Sequence, residues 1–218
     1  MAAVPTLQFP CKLKNVIVEI GHGEAPIWHT FRKLPLEDQS YLGLDINASA
    51  WPQERKPIYN LDAGRTRIIG RAKLGYDCQF MLLDESGTLP VPDGQSSEAY
   101  LSLVLNDPRI LLQTVERLLL ETARIAKPGG YLVIDNGSTT SADAGDILVS
   151  PDSKKLVFKI SPQKELTTED ITNPFSAFLN RAFLPMEASL YSEFMHVRGF
   201  PTHCNIEPGF SISILVRR

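Results

Sequence analysis

Short apolar runs separated by polar, helix-compatible stretches mark the first two thirds of the chain. Residues 15–20 (NVIVEI) and 41–46 (YLGLDI) are too apolar for strands with one wet face, so they predict central strands of a parallel sheet. Three later runs, 79–83, 99–105 and 131–134, predict further strands. Strands that alternate with helical segments are typical of an α/β fold with right-handed crossovers.

The clearest helical pattern covers residues 108–126. Its apolar residues recur with the helical period on one side, at Ile110, Leu111, Val115, Leu118, Leu119 and Ile125. Asp107 is the predicted N-cap, with Pro108 at the first helical position, and the segment 127–130 (KPGG) predicts the helix end.

The last third of the chain has a different character. Residues 136–146 are small and polar and predict a loop, and 147–149 with 155–160 predict a hairpin. Aromatic residues then recur at helical spacing, with a break or kink at Pro185 after which the pattern resumes, and this indicates helix core or a lid over an acceptor. They are Phe175, Phe178, Phe183, Tyr191 and Phe194. Two strands, 202–207 and 210–216, are predicted to pair antiparallel and close the sheet.

Composition narrows the class of protein without identifying it. The chain has 218 residues and a net charge of −3, from 22 basic and 25 acidic residues, which predicts one domain and disfavours indiscriminate binding to nucleic acid. Its three cysteines have no CxxC spacing, so neither a disulfide framework nor a cysteine-rich zinc site is expected. With no targeting signal or membrane span predicted, a cytoplasmic location is expected.

A glycine turn follows the first predicted strand. Gly21 and Gly23 allow the backbone to turn sharply and approach a ligand beside a helix N-terminus, although any tight strand-to-helix turn can use this pattern. Asp45 ends the second strand, where a carboxylate can accept both hydroxyls of a ribose; alone, it would more often be a surface residue. Together the turn and the acid predict a nucleoside site.

The kind of nucleoside follows from two neighbouring residues. Pro26 stands where a dinucleotide site has its third glycine. Glu19, just before the turn, would repel a diphosphate and attract an ammonium group. An amino-acid-bearing nucleoside therefore fits better than NAD.

Four segments in this order resemble the class I S-adenosylmethionine-dependent methyltransferases: 18–26 (VEIGHGEAP), 42–47 (LGLDIN), 89–107 and 124–134 (RIAKPGGYLVI). The resemblance implies a Rossmann-like fold, with a mostly parallel seven-stranded sheet and a C-terminal antiparallel hairpin. It also implies a single domain, 1–218, in which 15–135 form the cofactor-binding core and 136–218 supply lid and acceptor elements and the closing strands.

The resemblance further implies a site for S-adenosylmethionine. The glycine turn would hold the methionyl part, Asp45 the ribose and Ile46 the adenine, while the tip after the third strand would hold the adenine amine and Asn106 would face the transferred methyl. The implied cofactor residues are Glu19, Gly21, His22, Gly23, Asp45, Ile46, Asp84, Glu85, Ser86 and Asn106.

The catalytic residues and the acceptor stay open. Residues 106–109 (NDPR) lack the second proline and the aromatic of amino-directed methyltransferases. Histidines and one aspartate are candidate bases, and no one of them stands out: His22, His29, His196, His203 and Asp107. A small-molecule acceptor is predicted, because the chain shows no added RNA- or DNA-binding domain.

Two alternatives remain. The segments VEIGHG and YLGLDI also resemble tRNA guanine-N7 methyltransferases, and basic residues between the second and third strands could follow RNA phosphates, though a solvated face is the commoner role; these are Arg55, Lys56, Arg65, Arg67, Arg71 and Lys73. A non-catalytic subunit that keeps the fold is the other alternative. The sequence does not indicate an oligomeric state.

Overall fold

A computed structural model provides the fold. It describes residues 15–21, 39–45, 59–62, 65–68, 78–83, 87–102, 104–105, 107, 110–135, 146–149, 155–159, 167–198 and 212–218. Eleven strands and four helices lie in these ranges. The strands are β1 Val16–Ile20, β2 Ser40–Asp45, β3 Tyr59–Asp62, β4 Arg65–Ile68, β5 Cys78–Leu82, β6 Ser96–Ser102, β7 Ala126–Asp135, β8 Asp146–Val149, β9 Leu156–Lys159, β10 Phe183–Pro185 and β11 Ile212–Arg217. The helices are α1 Leu112–Ile125, α2 Thr168–Thr172, α3 Pro174–Ala182 and α4 Ala188–Arg198.

Nine strands form one sheet in the order β10-β11-β7-β6-β1-β2-β5-β4-β3. β5, β2, β1, β6 and β7 run parallel, and β11 runs antiparallel between β7 and β10. Without the added β3–β4 hairpin, the seven strands follow the order 3-2-1-4-5-7-6 along the sheet, with the last strand reversed. This is the Rossmann-like class I methyltransferase fold, which confirms the predicted fold class.

One face of the sheet is aliphatic. Residues of a strand alternate between faces, so Val18, Leu42, Leu101 and Leu132 all point to one side and are fully buried. Helix α1 covers this side with its own buried residues, Val115, Leu118, Leu119, Ala123 and Ile125. The amphipathic pattern of α1 and the continuous apolar runs of the strands thus build the same core.

Helix α1 is shorter than predicted at its start. It begins at Leu112, its N-cap is Leu111, and no side chain caps it. The prediction that Asp107 caps the helix is therefore wrong; the backbone carbonyl of Asp107 instead accepts a hydrogen bond from the Ile110 amide, 3.0 Å away.

β11 closes the sheet antiparallel to β7, as predicted. Its outer partner at Leu215–Arg217 is β10, which contains Phe183, predicted to belong to the aromatic helical stretch, and Pro185, predicted to interrupt that stretch. A short edge strand tolerates Pro185 because the missing amide hydrogen is not required on an outer edge. Residues 202–207, the predicted partner, lie outside the described residues.

The predicted hairpin is confirmed as β8 and β9. The free edge of β9 is covered by side chains of α3 and its N-cap: Asn180 bonds both the amide and the carbonyl of Leu156, at 2.9 and 2.6 Å, and Ser176 Oγ accepts from the Phe158 amide at 3.0 Å. Phe175 contacts Phe158 with ring centroids 5.1 Å apart. These described contacts match helix core rather than a lid for Phe175.

Candidate functional site

Gly21 forms the turn at the carboxyl end of β1. Its φ is +79°, and a Cβ there would lie 2.7 Å from both the Ser102 carbonyl oxygen and Val104 Cγ2. Because the oxygen belongs to the backbone, it cannot move aside as a flexible side chain could. The turn therefore requires glycine for its conformation and for its close approach to the end of β6.

The turn is also joined to the end of β2. The Gly21 amide donates to the Leu44 carbonyl at 2.8 Å, and Asp45 is the next residue. Asp45 is 8 % exposed, and its carbonyl accepts from the Leu83 amide at 2.8 Å. The glycine and the acid that the sequence singled out separately therefore lie at adjacent strand ends.

The Gly21 turn lies at the point of the sheet where the strand order reverses. From β1 the chain proceeds to β2 and β5 on one side, then crosses back to β6 and β7 on the other. The strand order therefore reverses between β1 and β6, and Gly21 packs against the last residue of β6 at that point. In open α/β sheets, ligands bind outside the carboxyl ends of the strands where the order reverses.

Glu19 lies beneath the turn and is 1 % exposed. One carboxylate oxygen accepts from the Tyr41 hydroxyl at 2.5 Å, and the other accepts from the Ser102 hydroxyl at 2.9 Å. Tyr41 belongs to β2 and Ser102 to β6. One carboxylate thus joins three neighbouring strands directly below the predicted methionyl position.

A second buried carboxylate lies farther from the turn on the same face. Glu98 is 2 % exposed and accepts from the Tyr100 hydroxyl at 2.7 Å and from the Gln39 side-chain amide at 3.2 Å. Register places Glu98 beside Ile17 and Tyr100 beside Glu19. The second face of the sheet therefore carries two glutamates, each bonded to a tyrosine hydroxyl.

The segment after the predicted adenine tip is fixed to α1. Arg124 donates to the carbonyls of Leu89 and Val91 at 2.9 and 2.8 Å and forms ion pairs with Asp93 and Glu121. The hydrogen bond from Arg124, more than the opposing effect of burial, holds the pKa of the Glu121 carboxyl below its ordinary value of 4.5. These contacts hold residues 89–93 against the helix.

All the other predicted cofactor residues lie outside the described residues, so their roles stay predictions: His22, Gly23, Ile46, Asp84, Glu85, Ser86 and Asn106. The same holds for His29 and His203. Of the candidate bases in the described ranges, Asp107 is half-buried and His196 is an exposed residue of α4. The described part of the site therefore consists of Glu19, Gly21 and Asp45.

Sequence reasoning missed Tyr41 and Ser102, which bind Glu19. Both lie in strands that the sequence predicted, and strand alternation places Tyr41 on the same face as Asp45. A polar residue within a run otherwise predicted to be buried was the available signal, because buried hydroxyls need partners. The partner itself depends on strand register, which the sequence does not specify.

A cavity of about 510 Å³ lies elsewhere, at the amino edge of the sheet. It is lined by Phe183, Leu184, Asn180, Lys155 and Arg218, among others, and by none of the described cofactor candidates. Phe183 pairs with Arg217, at the opposite edge from Gly21 and Asp45. This cavity therefore does not include the described residues of the candidate site.

Two further properties concern only the described part of the chain. No group of three histidine, cysteine, aspartate or glutamate residues there is arranged to hold a metal ion. The helices in that part lack the combined length and hydropathy that a bilayer crossing demands.

The chain matches no family model and no curated protein. Among solved structures it is similar to an S-adenosylmethionine-dependent methyltransferase from Mesorhizobium loti, with 16 % identity, a TM-score of 0.48, and 95 % of this chain and 93 % of that chain covered. A methyltransferase from Methanosarcina mazei is 15 % identical with a TM-score of 0.47, and the match covers 94 % of this chain and 92 % of that chain. An arsenic(III) methyltransferase from Chlamydomonas reinhardtii is 16 % identical with a TM-score of 0.45, and the match covers 96 % of this chain and 65 % of that chain. Likenesses this distant do not carry an activity to this chain, so a function must be argued from the site.

Proposed function

We propose that this chain binds S-adenosylmethionine at the carboxyl ends of β1 and β2 and transfers its methyl group to a small-molecule acceptor. The observation that carries the proposal is the hydrogen bond from the Gly21 amide to the Leu44 carbonyl. That bond brings a ligand-compatible glycine turn beside a strand-end carboxylate at the point where the strand order reverses.

The residues present fit this cofactor. The Asp45 carboxylate, at the carboxyl end of β2, has the position and the chemistry to accept both ribose hydroxyls. Gly21 has no side chain, so the backbone of the turn can approach both β6 and a ligand closely. Glu19 contributes a carboxylate beneath the turn, which favours an ammonium group there.

When bound, the cofactor supplies a methyl group on a sulfonium, which is already activated for displacement. The protein's own contribution is then to orient the ligand and to exclude water. Loss of a proton from a hydroxyl or amine acceptor would require a base, and the described residues do not single one out. A small acceptor is proposed because the predicted cofactor-binding core, 15–135, would leave residues 136–218 to form the acceptor site.

Binding of S-adenosylhomocysteine to the full chain tests the proposal. We expect a dissociation constant in the micromolar range by calorimetry. An Asp45→Ala variant should bind about 10- to 100-fold more weakly, because it loses hydrogen bonds to a charged acceptor.

The matched control is Asp93→Ala, which removes an exposed aspartate at the opposite edge of the sheet and should leave affinity unchanged. No detectable binding by the wild-type chain at tens of micromolar would overturn the cofactor assignment. Normal binding by Asp45→Ala would overturn the ribose assignment alone.

A transfer to RNA is the second candidate, supported by the position of β4. The hairpin β3–β4 extends the sheet beyond β5 and carries Arg65 and Arg67, two of the six basic residues noted in the sequence. Several phosphate contacts would make transfer to RNA strongly salt-dependent. Incubation of labelled cofactor with RNA and with small metabolites, at two salt concentrations, distinguishes the acceptors; cofactor binding without any labelled product would indicate a non-catalytic subunit.

A further inference from the structure

We infer that Tyr41 and Ser102 are positioning residues that act through Glu19 to make the site select ligands with an α-amino group. This inference rests on the proposed function, because it concerns the methionyl end of the same ligand. Neither residue needs to contact the ligand. Each holds one oxygen of the carboxylate beneath the turn.

The geometry fixes the carboxylate from two sides. Tyr41 reaches Glu19 from β2, where the residue beside Glu19 in register is Gly43, which has no side chain to separate them. Ser102 reaches the other oxygen from β6. Because the two donors come from opposite neighbouring strands, rotation of the carboxylate would break at least one of the two bonds.

Ser102 also contacts the turn itself. Its carbonyl oxygen lies 2.7 Å from the position that a Cβ on Gly21 would take, while its hydroxyl bonds Glu19. One residue therefore sets the distance between the turn and the carboxylate. A ligand ammonium placed by the turn would meet a negative charge in a fixed position.

The two hydroxyl donors are neutral, so these bonds orient the carboxylate without cancelling its charge. A fixed charge in a site that excludes water acts on an ammonium more strongly than the same charge in solvent. It has little effect on the nucleoside end of the ligand, which is neutral. Loss of either hydroxyl should therefore weaken binding of the amino-acid end and spare the nucleoside end.

The second glutamate on this face provides a matched control. Tyr100 donates to Glu98 as Tyr41 donates to Glu19, and both tyrosines are buried on the same face. Tyr41→Phe and Tyr100→Phe thus each remove one buried tyrosine hydroxyl that donates to a buried glutamate. The hydroxyl lost in Tyr41→Phe donates to the carboxylate that Ser102 also bonds beneath the turn, whereas the hydroxyl lost in Tyr100→Phe donates to Glu98.

Two probes separate the ends of the ligand. S-adenosylhomocysteine carries the α-amino acid, whereas 5′-methylthioadenosine keeps the nucleoside and the thioether and lacks the amino acid. For Tyr41→Phe and Ser102→Ala, we expect the dissociation constant of S-adenosylhomocysteine to rise about tenfold and that of methylthioadenosine to change less than about twofold. Ser102→Thr, which keeps the hydroxyl, and Tyr100→Phe should retain the wild-type ratio of the two affinities.

The outcomes distinguish this inference from the proposed function. If the wild-type chain binds neither probe, the proposed function fails and the inference fails with it. If the wild-type chain binds both, but Tyr41→Phe and Ser102→Ala change both affinities equally or change neither, only the positioning role is overturned. Should Tyr41→Phe not fold, the ratio measured for Ser102→Ala against Ser102→Thr decides.

Discussion

The two faces of the sheet bury different kinds of side chain. Toward α1, side chains such as Val18 and Leu132 form a continuous aliphatic core. On the opposite side, the same strands bury Glu19 and Glu98, each held by a tyrosine hydroxyl. Burying a carboxylate costs stability unless hydrogen bonds compensate. Packing alone therefore does not explain why glutamates occupy the polar face.

The two glutamates of the polar face differ in turn. Glu19 lies beneath the Gly21 turn and is bonded by Ser102, whose backbone packs against that turn. Glu98 lies farther toward the amino edge and is bonded by Gln39. Glu19 is therefore the glutamate that is joined, through Ser102, to the turn proposed to hold the ligand.

The largest effect is expected on the aliphatic face. Leu119→Ala should lower the free energy of unfolding by about 2–5 kcal/mol, because Leu119 is fully buried and its truncation leaves a cavity. Urea denaturation measures the loss, and the neighbouring Leu120→Ala, at an exposed position, is the control with a loss below about 1 kcal/mol. Equal losses for the two variants would contradict the assignment of the α1 face.

A smaller effect on stability is expected at Glu98, at the amino end of the polar face. Glu98→Leu should cost about 1–3 kcal/mol, because it leaves the Tyr100 hydroxyl and the Gln39 amide without this acceptor. Adding Tyr100→Phe should restore part of the loss, since one of those donors is then absent. Thermal or urea unfolding of the single and double variants measures this difference, and an additive loss would show that the bonds do not compensate for burial.

The aliphatic face was the more predictable of the two. Residues 15–20 and 41–46 were predicted as buried strands, and they contain β1 and most of β2, because strands covered on both sides have nearly continuous apolar sequences. The short, charged β4 gave no such pattern; its pairing with β5 is a non-local contact. The sequence did not predict β10, because Phe183 fits the helical spacing of the residues before it.

The residues of the candidate site also differ in how far the sequence could predict them. Gly21 and Asp45 were accessible to sequence reasoning because each occupies a strand end with its own chemistry. The bonds from Tyr41 and Ser102 to Glu19 were not, because they join residues 22 and 83 positions apart and depend on the register of three strands. Register is set by the whole sheet and not by any local pattern.

The smallest effect on stability is expected for Glu121, a polar residue of α1, the helix that covers the aliphatic face. Glu121 bonds Arg124 at 2.6 Å and accepts from the Leu89 amide at 2.9 Å, and the bond with Arg124 lowers the pKa of Glu121 in the folded state. Its stabilising contribution is therefore present above the ordinary pKa of the unfolded chain and is lost as the pH falls through the folded value.

Glu121→Gln should thus lower stability at neutral pH by about 0.5–1 kcal/mol, as partly exposed ion pairs do, and the difference from wild type should shrink below about pH 4.5. Urea denaturation at pH 7 and at pH 3.5 measures this (pH 3.5 being about one unit below that ordinary value). Arg124→Met should show the same convergence with wild type at acid pH, because it removes the main cause of the shift. A difference that stays constant across this range would mean that the segment 89–93 is held by the backbone contacts of Arg124 and not by the charge on Glu121.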